Sequence, residues 1–316
     1  MLRTRFTELV GCLHPLQLAA LGGVGLAELA AAVTEAGGLG MVPSGGSRAS
    51  VEQRLEALRS RTAGPYGVNF LIPFLDLDGV EVAAARARLV EFFYGDPDEA
   101  LVARVHAGGA LAGWQVGSAG EARAAAAAGC DLVVAQGVEA GGHVRGVLGL
   151  LPLLDQVLGV VDVPVLAAGG IGGGRAVAAI LAAGADGVRV GTRFVAARES
   201  DAHPDYVAAL IAAVAGDTIL TEAFSRDWPD APHRVLRSSA DALEAHTDDI
   251  VAMRGNGDTV HRGSSEPPAR HVTGAVAAMA LYAGQSVGSV TRIQPAAEIV
   301  RELMTEAEAL LARRIG

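Results

Sequence analysis

Residues 163–172 read Val-Pro-Val-Leu-Ala-Ala-Gly-Gly-Ile-Gly, an apolar run that ends in a glycine turn. An Ala/Leu-rich stretch with helical spacing, Gly174–Ala183, follows this turn. A short and almost wholly apolar run is typical of a strand that is buried on both faces, as the strands of parallel sheets are. The segment therefore predicts one strand–turn–helix unit of a parallel α/β protein.

The same unit recurs along the chain. The strand candidates are His14–Ala20, Gly38–Val42, Tyr66–Ile72, Leu89–Tyr94, Ala110–Val116, Asp131–Gln136, Val163–Ala168 and Gly187–Gly191. The clearest helical patterns are Leu26–Ala36, Val51–Arg59, Pro97–His106, Glu121–Ala128, Gly174–Ala183 and Pro204–Ala215. Eight strand–helix units by residue 215 predict an α/β fold of the (β/α)8 TIM-barrel class.

A doubly wound sheet shares this alternation and is the main alternative fold. It would be expected to carry a complete Gly-x-Gly-x-x-Gly pattern after a strand. The pattern that begins at Gly170 ends in Arg175 instead of its last glycine, and the pattern that begins at Gly23 fails at Glu28. These interruptions favour the barrel.

Beyond residue 215 the alternation ends. Segments 221–232 and 254–270 are rich in turn formers and charge, whereas Ala240–Met253, Thr273–Tyr282 and Pro295–Arg314 have helical patterns. The chain is therefore expected to form a barrel over residues 1–215. Residues 216–316 are expected to form a small helical lobe and C-terminal helices packed on the barrel.

The composition excludes several classes of function. A formal net charge of −10 argues against nucleic acids and anionic membranes as partners. Cys12 and Cys130 are too few for a disulfide framework, and no apolar run is long enough to span a bilayer. These features predict a cytoplasmic protein. All 25 residues counted as Lys+Arg are arginine, so Schiff-base chemistry on lysine is excluded.

Polar side chains and glycines concentrate at the C-terminal ends of the predicted strands, where barrels of this class carry their active sites. These ends hold Ala20, Leu21, Gly22, Asn69, Gln115, Gln136, Gly169, Gly170, Gly191 and Thr192. Backbone N–H groups of Gly170, Gly172, Gly191 and Thr192 are expected to converge on a phosphate, since glycine turns before helices present unpaired donors. The Thr192 hydroxyl would be a further donor. Tight-turn glycines without a ligand are the alternative interpretation.

His143 is the candidate catalytic residue. It ends the loop Gln136-Gly137-Val138-Glu139-Ala140-Gly141-Gly142-His143, which follows the strand candidate Asp131–Gln136. An imidazole at this end of a barrel can accept or donate a proton near neutral pH. No ligand partner stands at a metal-binding spacing from His143, so no metal site is expected. A solvated loop histidine is the alternative interpretation.

Three stretches together resemble the nitronate monooxygenase family, formerly called 2-nitropropane dioxygenases, whose close relatives include the FMN-dependent enoyl-ACP reductases of bacteria. They are Gln136–His143, Ala168–Gly172 and Gly184–Phe194. The similarity runs from about Pro15 to the C-terminus and includes Ala283–Ser286. The combination is specific for this superfamily and less specific for the reaction within it.

The resemblance implies FMN in the barrel mouth, with its phosphate at Gly170, Gly191 and Thr192. By the same similarity, Asn69 and Gln136 would meet the flavin ring or ribityl chain, and Ala20–Gly22 the edge of the ring. The remaining cofactor contacts would come from Gln115, Gly141, Gly142, Gly169, Gly172 and Gln285. Ser286 would lie in the substrate pocket, and His143 would be the active-site base.

Two departures from the family pattern concern the flavin. Family members commonly read Ala-Pro-Met at the end of the first strand, where this chain has Leu18-Ala19-Ala20. Many FMN barrels also place a lysine near the flavin, and this chain has none. An arginine, a helix dipole or neutral donors would have to stabilise the reduced flavin anion instead.

The implied reaction is FMN-dependent oxidation of alkyl nitronates, or of nitroalkanes, by O2 to a carbonyl compound and nitrite. The implied partners are a small-molecule substrate and O2, and a homodimer remains open. One alternative is an FMN-dependent enoyl-thioester reductase or another NAD(P)H-dependent flavin oxidoreductase. A second alternative is a non-catalytic flavin or phosphate binder that uses the barrel as a sensor.

Overall fold

A computed structural model describes residues 2–315, and its largest sheet is a ring of parallel strands. The barrel strands are β1 (Leu16–Leu18), β2 (Gly40–Pro43), β3 (Tyr66–Leu71), β4 (Leu89–Phe93), β5 (Leu111–Val116), β6 (Leu132–Gln136), β8 (Val165–Ala168) and β9 (Gly187–Val190), with the short strand β7 (Gly142–His143) between β6 and β8. A bridge between Gln17 and Leu39 joins β1 to β2 and closes the ring. All eight predicted barrel strands and the TIM-barrel class are confirmed.

Helices surround the ring of strands and also cover the end of the barrel at which the strands begin. They are α1 (Arg5–Val10), α2 (Ala27–Glu35), α3 (Arg48–Arg59), α4 (Leu77–Arg86), α5 (Glu99–Gly108), α6 (Ala119–Ala127), α7 (Leu150–Leu158), α8 (Gly174–Ala182), α9 (Thr192–Val195), α10 (Pro204–Ala212), α11 (Arg237–Ala245) and α12 (Ala296–Ile315). Several start at side-chain caps that satisfy the first free N–H groups. Ser47, Asp98 and Ser118 cap α3, α5 and α6 in this way.

The N-terminal end of the barrel is closed by apolar side chains. Phe6 of α1 is fully buried against a layer of inward-facing residues, which includes Leu39, Met41, Leu89, Leu132 and Leu166. The guanidinium of Arg5 fixes this helix through bonds of 2.9 and 2.7 Å to the Asp186 carboxylate. The opening of the barrel therefore lies at the opposite end, where the strands finish.

The outer ring is completed by the C-terminal helix. The helix α12 packs against α8 and α2, where Ile299, Val300, Leu303 and Met304 are buried. The helix α10, which sequence analysis placed after the eighth strand, packs mainly on two 3-10 turns, Val276–Ala278 and Gln285–Ser289. The expected eighth unit is thus corrected, because α12 and not α10 occupies the place between α8 and α2 in the outer ring. The division of the chain at residue 215 stays a proposal.

The segment between α10 and α12 contains strands that sequence analysis missed. β10 (Thr218–Thr221), β11 (His233–Leu236) and β7 form one antiparallel sheet, and β13 (Thr259–His261), β12 (Ile250–Met253) and β14 (Thr273–Gly274) form another. The helices expected over Ala240–Met253 and Thr273–Tyr282 are therefore wrong beyond residue 245, the end of α11. Short apolar runs do not distinguish a helix from a strand. In this segment, pairing with neighbouring strands determines that the residues form strands.

Across residues 2–315, no helix combines the length and the apolar character that crossing a membrane requires.

Candidate active site

A cavity of about 800 Å³ opens at the C-terminal ends of the barrel strands. This volume lies within the range of ligand pockets, roughly 300–1,000 Å³. The predicted site residues that line it are Ala20, Leu21, Gly22, Asn69, Gln115, Gln136, Gly141, Gly142, His143, Gly169, Gly170, Gly191, Thr192 and Ser286. Strand ends that are distant in the sequence therefore meet around one space.

Two predicted site residues, Gly172 and Gln285, lie outside the cavity wall. A Cβ on Gly172 would come within 2.9 Å of the Cβ atoms of Ser286 and Ser289, so this glycine permits close packing between the β8 loop and a 3-10 turn. The backbone N–H of Gln285 donates to the carbonyl of Glu139 at 2.9 Å. Both residues therefore hold the loops of the site in place through contacts outside the cavity.

The loop after β8 presents backbone to the cavity. Gly169 and Gly170 have φ angles of +111° and +67°, a region that residues with a side chain rarely adopt. A Cβ on Gly169 would lie 3.0 Å from the carbonyl oxygen of Gly137 in the loop after β6. The two glycines therefore allow the loops to approach each other and leave main-chain groups on the wall.

Thr192 occupies the start of α9, directly after the last barrel strand. The first N–H groups of a helix have no partner within it. The Thr192 hydroxyl oxygen accepts the Gly284 N–H at 2.9 Å, which leaves the hydroxyl proton to be donated. Thr192 thus offers a backbone donor and a side-chain donor to an anion at the cavity wall.

His143 lies at the edge of the cavity in an aromatic cluster. Its ring stacks on Trp228, with centroids 4.0 Å apart and an interplanar angle of 27°. Its Nε2 atom is sealed from solvent and has no hydrogen-bond partner among residues 2–315. Burial, and secondarily the neighbouring His233, lowers the pKa of His143 to about 3. His143 is therefore a neutral, partly enclosed imidazole, not a solvated loop histidine.

Two contacts fix the main chain of His143. The side-chain amide of Gln136, at the end of β6, donates to the His143 carbonyl at 3.0 Å. His143 in β7 also pairs with His233 in β11. These contacts tie the catalytic candidate to both a barrel strand and the sheet that follows the barrel.

His233 is a structural histidine that sequence analysis did not single out. Its Nδ1 lies 2.9 Å from the Ala231 carbonyl, and its Nε2 accepts the Phe224 N–H at 3.2 Å. Burial lowers the pKa of His233, and both ring nitrogens are engaged with the main chain. This residue therefore shapes the surroundings of His143 and has no free nitrogen of its own.

The donor and acceptor set of the wall fits FMN. Gln136 Oε1 is buried and has no partner in the described part of the chain, so it can accept from a ring N–H or a ribityl hydroxyl. The Thr192 hydroxyl and the glycine loops fit a phosphate. A ligand with an apolar ring would also meet Leu21, Leu71 and Ile171 on the same wall.

A polar layer, formed by Gln17, Asn69, Glu91, Gln115 and Arg189, crosses the barrel below the cavity. All five side chains are buried and hydrogen-bonded to one another. Asn69 and Gln115 were predicted from the sequence as site residues, whereas Gln17, Glu91 and Arg189 were not. A signal was present, because glutamine, glutamate and arginine interrupt otherwise apolar strands, and buried charges need partners.

Comparison with known proteins gives one matching family and similar proteins of known structure. The family model described as nitronate monooxygenase matches residues 3–80 and 78–306. The nitroalkane oxidase from Streptomyces ansochromogenes is 34% identical, with a TM-score of 0.78 over 99% of this chain and 100% of that chain. FabK from Thermotoga maritima is 32% identical, with a TM-score of 0.83 over 100% of this chain and 99% of that chain.

A curated relative carries a different name. The (3aS,4S,5R,7aS)-5-hydroxy-7a-methyl-1-oxo-octahydro-1H-indene-4-carboxyl-CoA dehydrogenase of Rhodococcus jostii (strain RHA1) is 36% identical over 239 residues. The match covers 75% of this chain and 66% of that protein, so the chain spans slightly less than two thirds of the length of this relative.

Proposed function

The chain belongs to the nitronate monooxygenase family, and on that premise we propose that it binds FMN and oxidises alkyl nitronates with O2 to a carbonyl compound and nitrite. Membership makes it an oxidoreductase. The observation that carries the finer proposal is a neutral His143 with an unpaired ring nitrogen, at the edge of a cavity whose glycine loops fit a phosphate.

Several residues would hold the cofactor. Backbone groups of Gly170 and Gly191 and both donors of Thr192 would bind the phosphate, and Gln136 Oε1 would accept from the ring or the ribityl chain. When bound, FMN supplies the redox chemistry that couples oxidation of the substrate to O2. Gly141 and Gly142 keep the His143 loop close to this cofactor site without placing a side chain there.

The imidazole of His143 determines how the protein handles the substrate's proton. A neutral imidazole carries one N–H donor and one lone pair. It can therefore donate to an oxygen of a nitronate anion, or accept the α-proton of a neutral nitroalkane. Trp228 covers one face of the ring and excludes water from it. A nitronate suits this histidine better, because burial disfavours the protonated imidazole that would result from deprotonating a nitroalkane.

Cofactor content is the first test of the proposal. Protein purified without added cofactor is expected to be yellow, and acid release should give FMN. Purified protein with ethyl nitronate should consume O2 and release nitrite. A colourless protein that takes up no FMN at micromolar concentration would exclude the flavoenzyme. A yellow protein that turns over no nitronate would exclude the nitronate reaction alone.

A second candidate function is redox chemistry on a thioester-linked substrate. The observation that favours it is the outer part of the cavity, lined by Leu71, Phe74, Leu75, Phe93 and Trp228. This apolar, aromatic wall can bury a bulkier group than a short nitronate carries, and the Rhodococcus relative is named for a fused-ring carboxyl-CoA substrate.

Parallel assays separate the two candidates. One assay measures nitrite release from ethyl nitronate under O2. The other assays measure oxidation of NAD(P)H with an enoyl thioester and oxidation of an alicyclic hydroxyacyl-CoA. Nitrite release without nicotinamide-dependent or CoA-dependent turnover supports the nitronate reaction. The reverse result supports the thioester candidate, and flavin binding without turnover in any assay supports a binding protein.

A further inference from the structure

The polar layer contains a buried ion pair, to which the proposed reaction assigns no role. The Arg189 guanidinium bonds the Glu91 carboxylate directly, and their side chains are 6% and 0% exposed. Arg189 lies on β9 and Glu91 on β4, so the pair spans the interior of the barrel. A charge in such a place is tolerated only when it is paired and hydrogen-bonded.

The remaining bonds of the layer fasten this pair. Gln17 accepts from Arg189 Nε at 2.9 Å through its Oε1 and donates to Glu91 through its Nε2 at 3.3 Å. Asn69 Nδ2 donates to the other Glu91 oxygen at 2.8 Å, and Arg189 donates to Gln115 Oε1. Glu91 thus accepts from three side chains, and Gln17 bridges both charged groups.

The layer has an inner part and a part that faces the cavity. Asn69, Gln115 and Arg189 line the cavity, whereas Gln17 and Glu91 lie behind them. The amide oxygen of Gln115 is engaged by Arg189, so its amide N–H groups are the part left for a ligand. The amide nitrogen of Asn69 donates to Glu91, so the amide oxygen of Asn69 remains available to accept a hydrogen bond from a ligand. The ion pair therefore decides which amide end each side chain presents.

We propose that Glu91 is a positioning residue for the cofactor, which cancels the charge of Arg189 and holds Gln115 as a donor and Asn69 as an acceptor on the cavity floor. A bound, reduced flavin then meets an oriented set of dipoles and not a net positive charge. The chain without lysine thereby keeps the reduction potential of its flavin low. This inference rests on the proposed binding of FMN.

Glu91→Gln is the decisive variant, because it removes the negative charge and leaves the arginine, which stays protonated. The uncompensated cation should favour the anionic, reduced flavin. Its affinity relative to oxidised FMN should rise on the order of tenfold to a hundredfold, for a unit charge near the ring. Each tenfold change equals about 30 mV of midpoint potential for a two-electron couple. Reductive titration with a reference dye measures the shift.

Two further variants make the test specific for charge. The double variant Glu91→Gln with Arg189→Gln removes both charges, and its potential should return to within about 30 mV, or tenfold, of the unmodified protein. Glu91→Asp keeps the charge and should also keep the potential, even if its thermal stability falls. A merely structural role would make all three variants alike in potential.

A variant on the cavity side covers the case in which Glu91→Gln does not fold. Gln115→Leu removes the oriented donor and one hydrogen-bond acceptor of Arg189 but leaves both buried charges in place. It should lower the affinity for reduced FMN more than for oxidised FMN. An unchanged potential in both variants, or a fall in Glu91→Gln, would overturn the inference. Where Glu91→Gln does not fold, an unchanged potential in Gln115→Leu alone would overturn it. Failure of the unmodified protein to bind FMN would instead overturn the proposed function.

Discussion

His143 combines enclosure with a free ring nitrogen, and this combination separates two catalytic roles. The neighbouring Gln136 holds its main chain, so replacing the ring should not displace the loop. His143→Asn is expected to retain FMN and the fold. If neutral nitroalkanes are substrates, the variant should lose about 10²–10⁴-fold in kcat/KM, the usual contribution of general acid–base help. With preformed ethyl nitronate the loss should be smaller and appear mainly in KM.

The control for this variant is His106→Asn, at the other end of the barrel. His106 lies in the last turn of α5, contacts Asp131 and does not line the cavity. Its activity on nitroethane and ethyl nitronate should equal that of the unmodified protein. Near-normal rates for His143→Asn on both substrates would assign this ring a packing role against Trp228.

The lowered pKa of His143 also predicts how stability depends on pH. In the unfolded chain the imidazole binds a proton below its ordinary pKa of 6.5, whereas in the folded protein it binds one only near pH 3. The unfolded state therefore gains protons first, and the free energy of unfolding falls as the pH falls from about 6.5 towards 3, by at most about 1.4 kcal/mol per pH unit. Urea denaturation at pH 7.5, 6 and 5 should show His143→Asn losing less stability than the unmodified protein. A difference between the two proteins that does not change with pH would contradict the assignment.

Thr192 carries the third prediction at the scale of single residues. Thr192→Val keeps the shape but loses a donor to a charged group, which is worth roughly 1.5–3 kcal/mol. The dissociation constant of FMN should therefore rise by about tenfold to a hundredfold. The same change breaks the bond from the Gly284 N–H, so Thr192→Ser is the matched control, since it keeps the hydroxyl. If Thr192→Ser weakens FMN as much as Thr192→Val does, the hydroxyl is not the phosphate donor.

Among the elements, the loop between β6 and β7 depends on close backbone packing. A Cβ on Gly141 would lie 2.5 Å from the Gly284 nitrogen and 2.7 Å from the Ala283 carbonyl carbon. Gly141→Ala must therefore displace the loop that carries His143. It should cost about 1–3 kcal/mol of unfolding free energy, as overpacking does. Denaturant titration and turnover of ethyl nitronate should both reveal the defect.

Gly22→Ala is the matched control for this loop. Gly22 also lines the cavity, but a Cβ there would meet no atom within 4 Å. Its unfolding free energy should stay within about 0.5 kcal/mol of the unmodified protein. Equal stability of Gly141→Ala and Gly22→Ala would show that the loop yields easily and that Gly141 is not needed for packing.

The elements also show which information a single sequence carries. The barrel strands could be predicted because each is a short apolar run that ends in a polar or glycine turn, as at Ala168-Gly169-Gly170. The strand β12 could not be predicted, because the apolar run Ile250–Met253 is equally compatible with a helix. Its strand conformation depends on pairing with β13 and β14, which are separate in the sequence. The cavity followed from the strand ends, since parallel strands bring these ends together.

The missed part of the site has a common physical origin. Glu91 and Arg189 are identified as partners only when β4 and β9 face each other across the barrel, although they lie 98 positions apart in the chain. Trp228 reaches His143 from the loop between β10 and β11, a segment whose charge and turn formers indicated only a loop. Both the Glu91–Arg189 pair and the contact of Trp228 with His143 depend on long-range packing, which a local sequence pattern does not encode.

For the molecule as a whole, the main question is whether α12 belongs to the barrel or is attached to it. The apolar side chains that α12 buries where it packs against α8 and α2 include Ile299, Val300, Leu303 and Met304. At roughly 1.5–3 kcal/mol for each buried side chain, this interface is comparable with the whole stability of a domain, about 5–15 kcal/mol. In addition, the carboxylate of Glu306 accepts the Gly174 N–H at the start of α8 at 3.0 Å. The helix should therefore unfold only together with the barrel.

Leu303→Ala tests this cooperativity, with Thr305→Ala as the exposed control on the same helix. Leu303 is 2% exposed, and its truncation should cost about 2–5 kcal/mol, whereas the control should stay within about 0.5 kcal/mol.

The chain has two tryptophans, so Trp228→Phe leaves Trp114, fully buried in β5, as a fluorescent reporter of the barrel. In that background, Leu303→Ala should shift the loss of helical circular dichroism and the Trp114 transition to the same lower denaturant concentration, because one cooperative unit gives coincident transitions. If helix is lost first while the Trp114 signal stays native, α12 is an appendage and the ring closes without it.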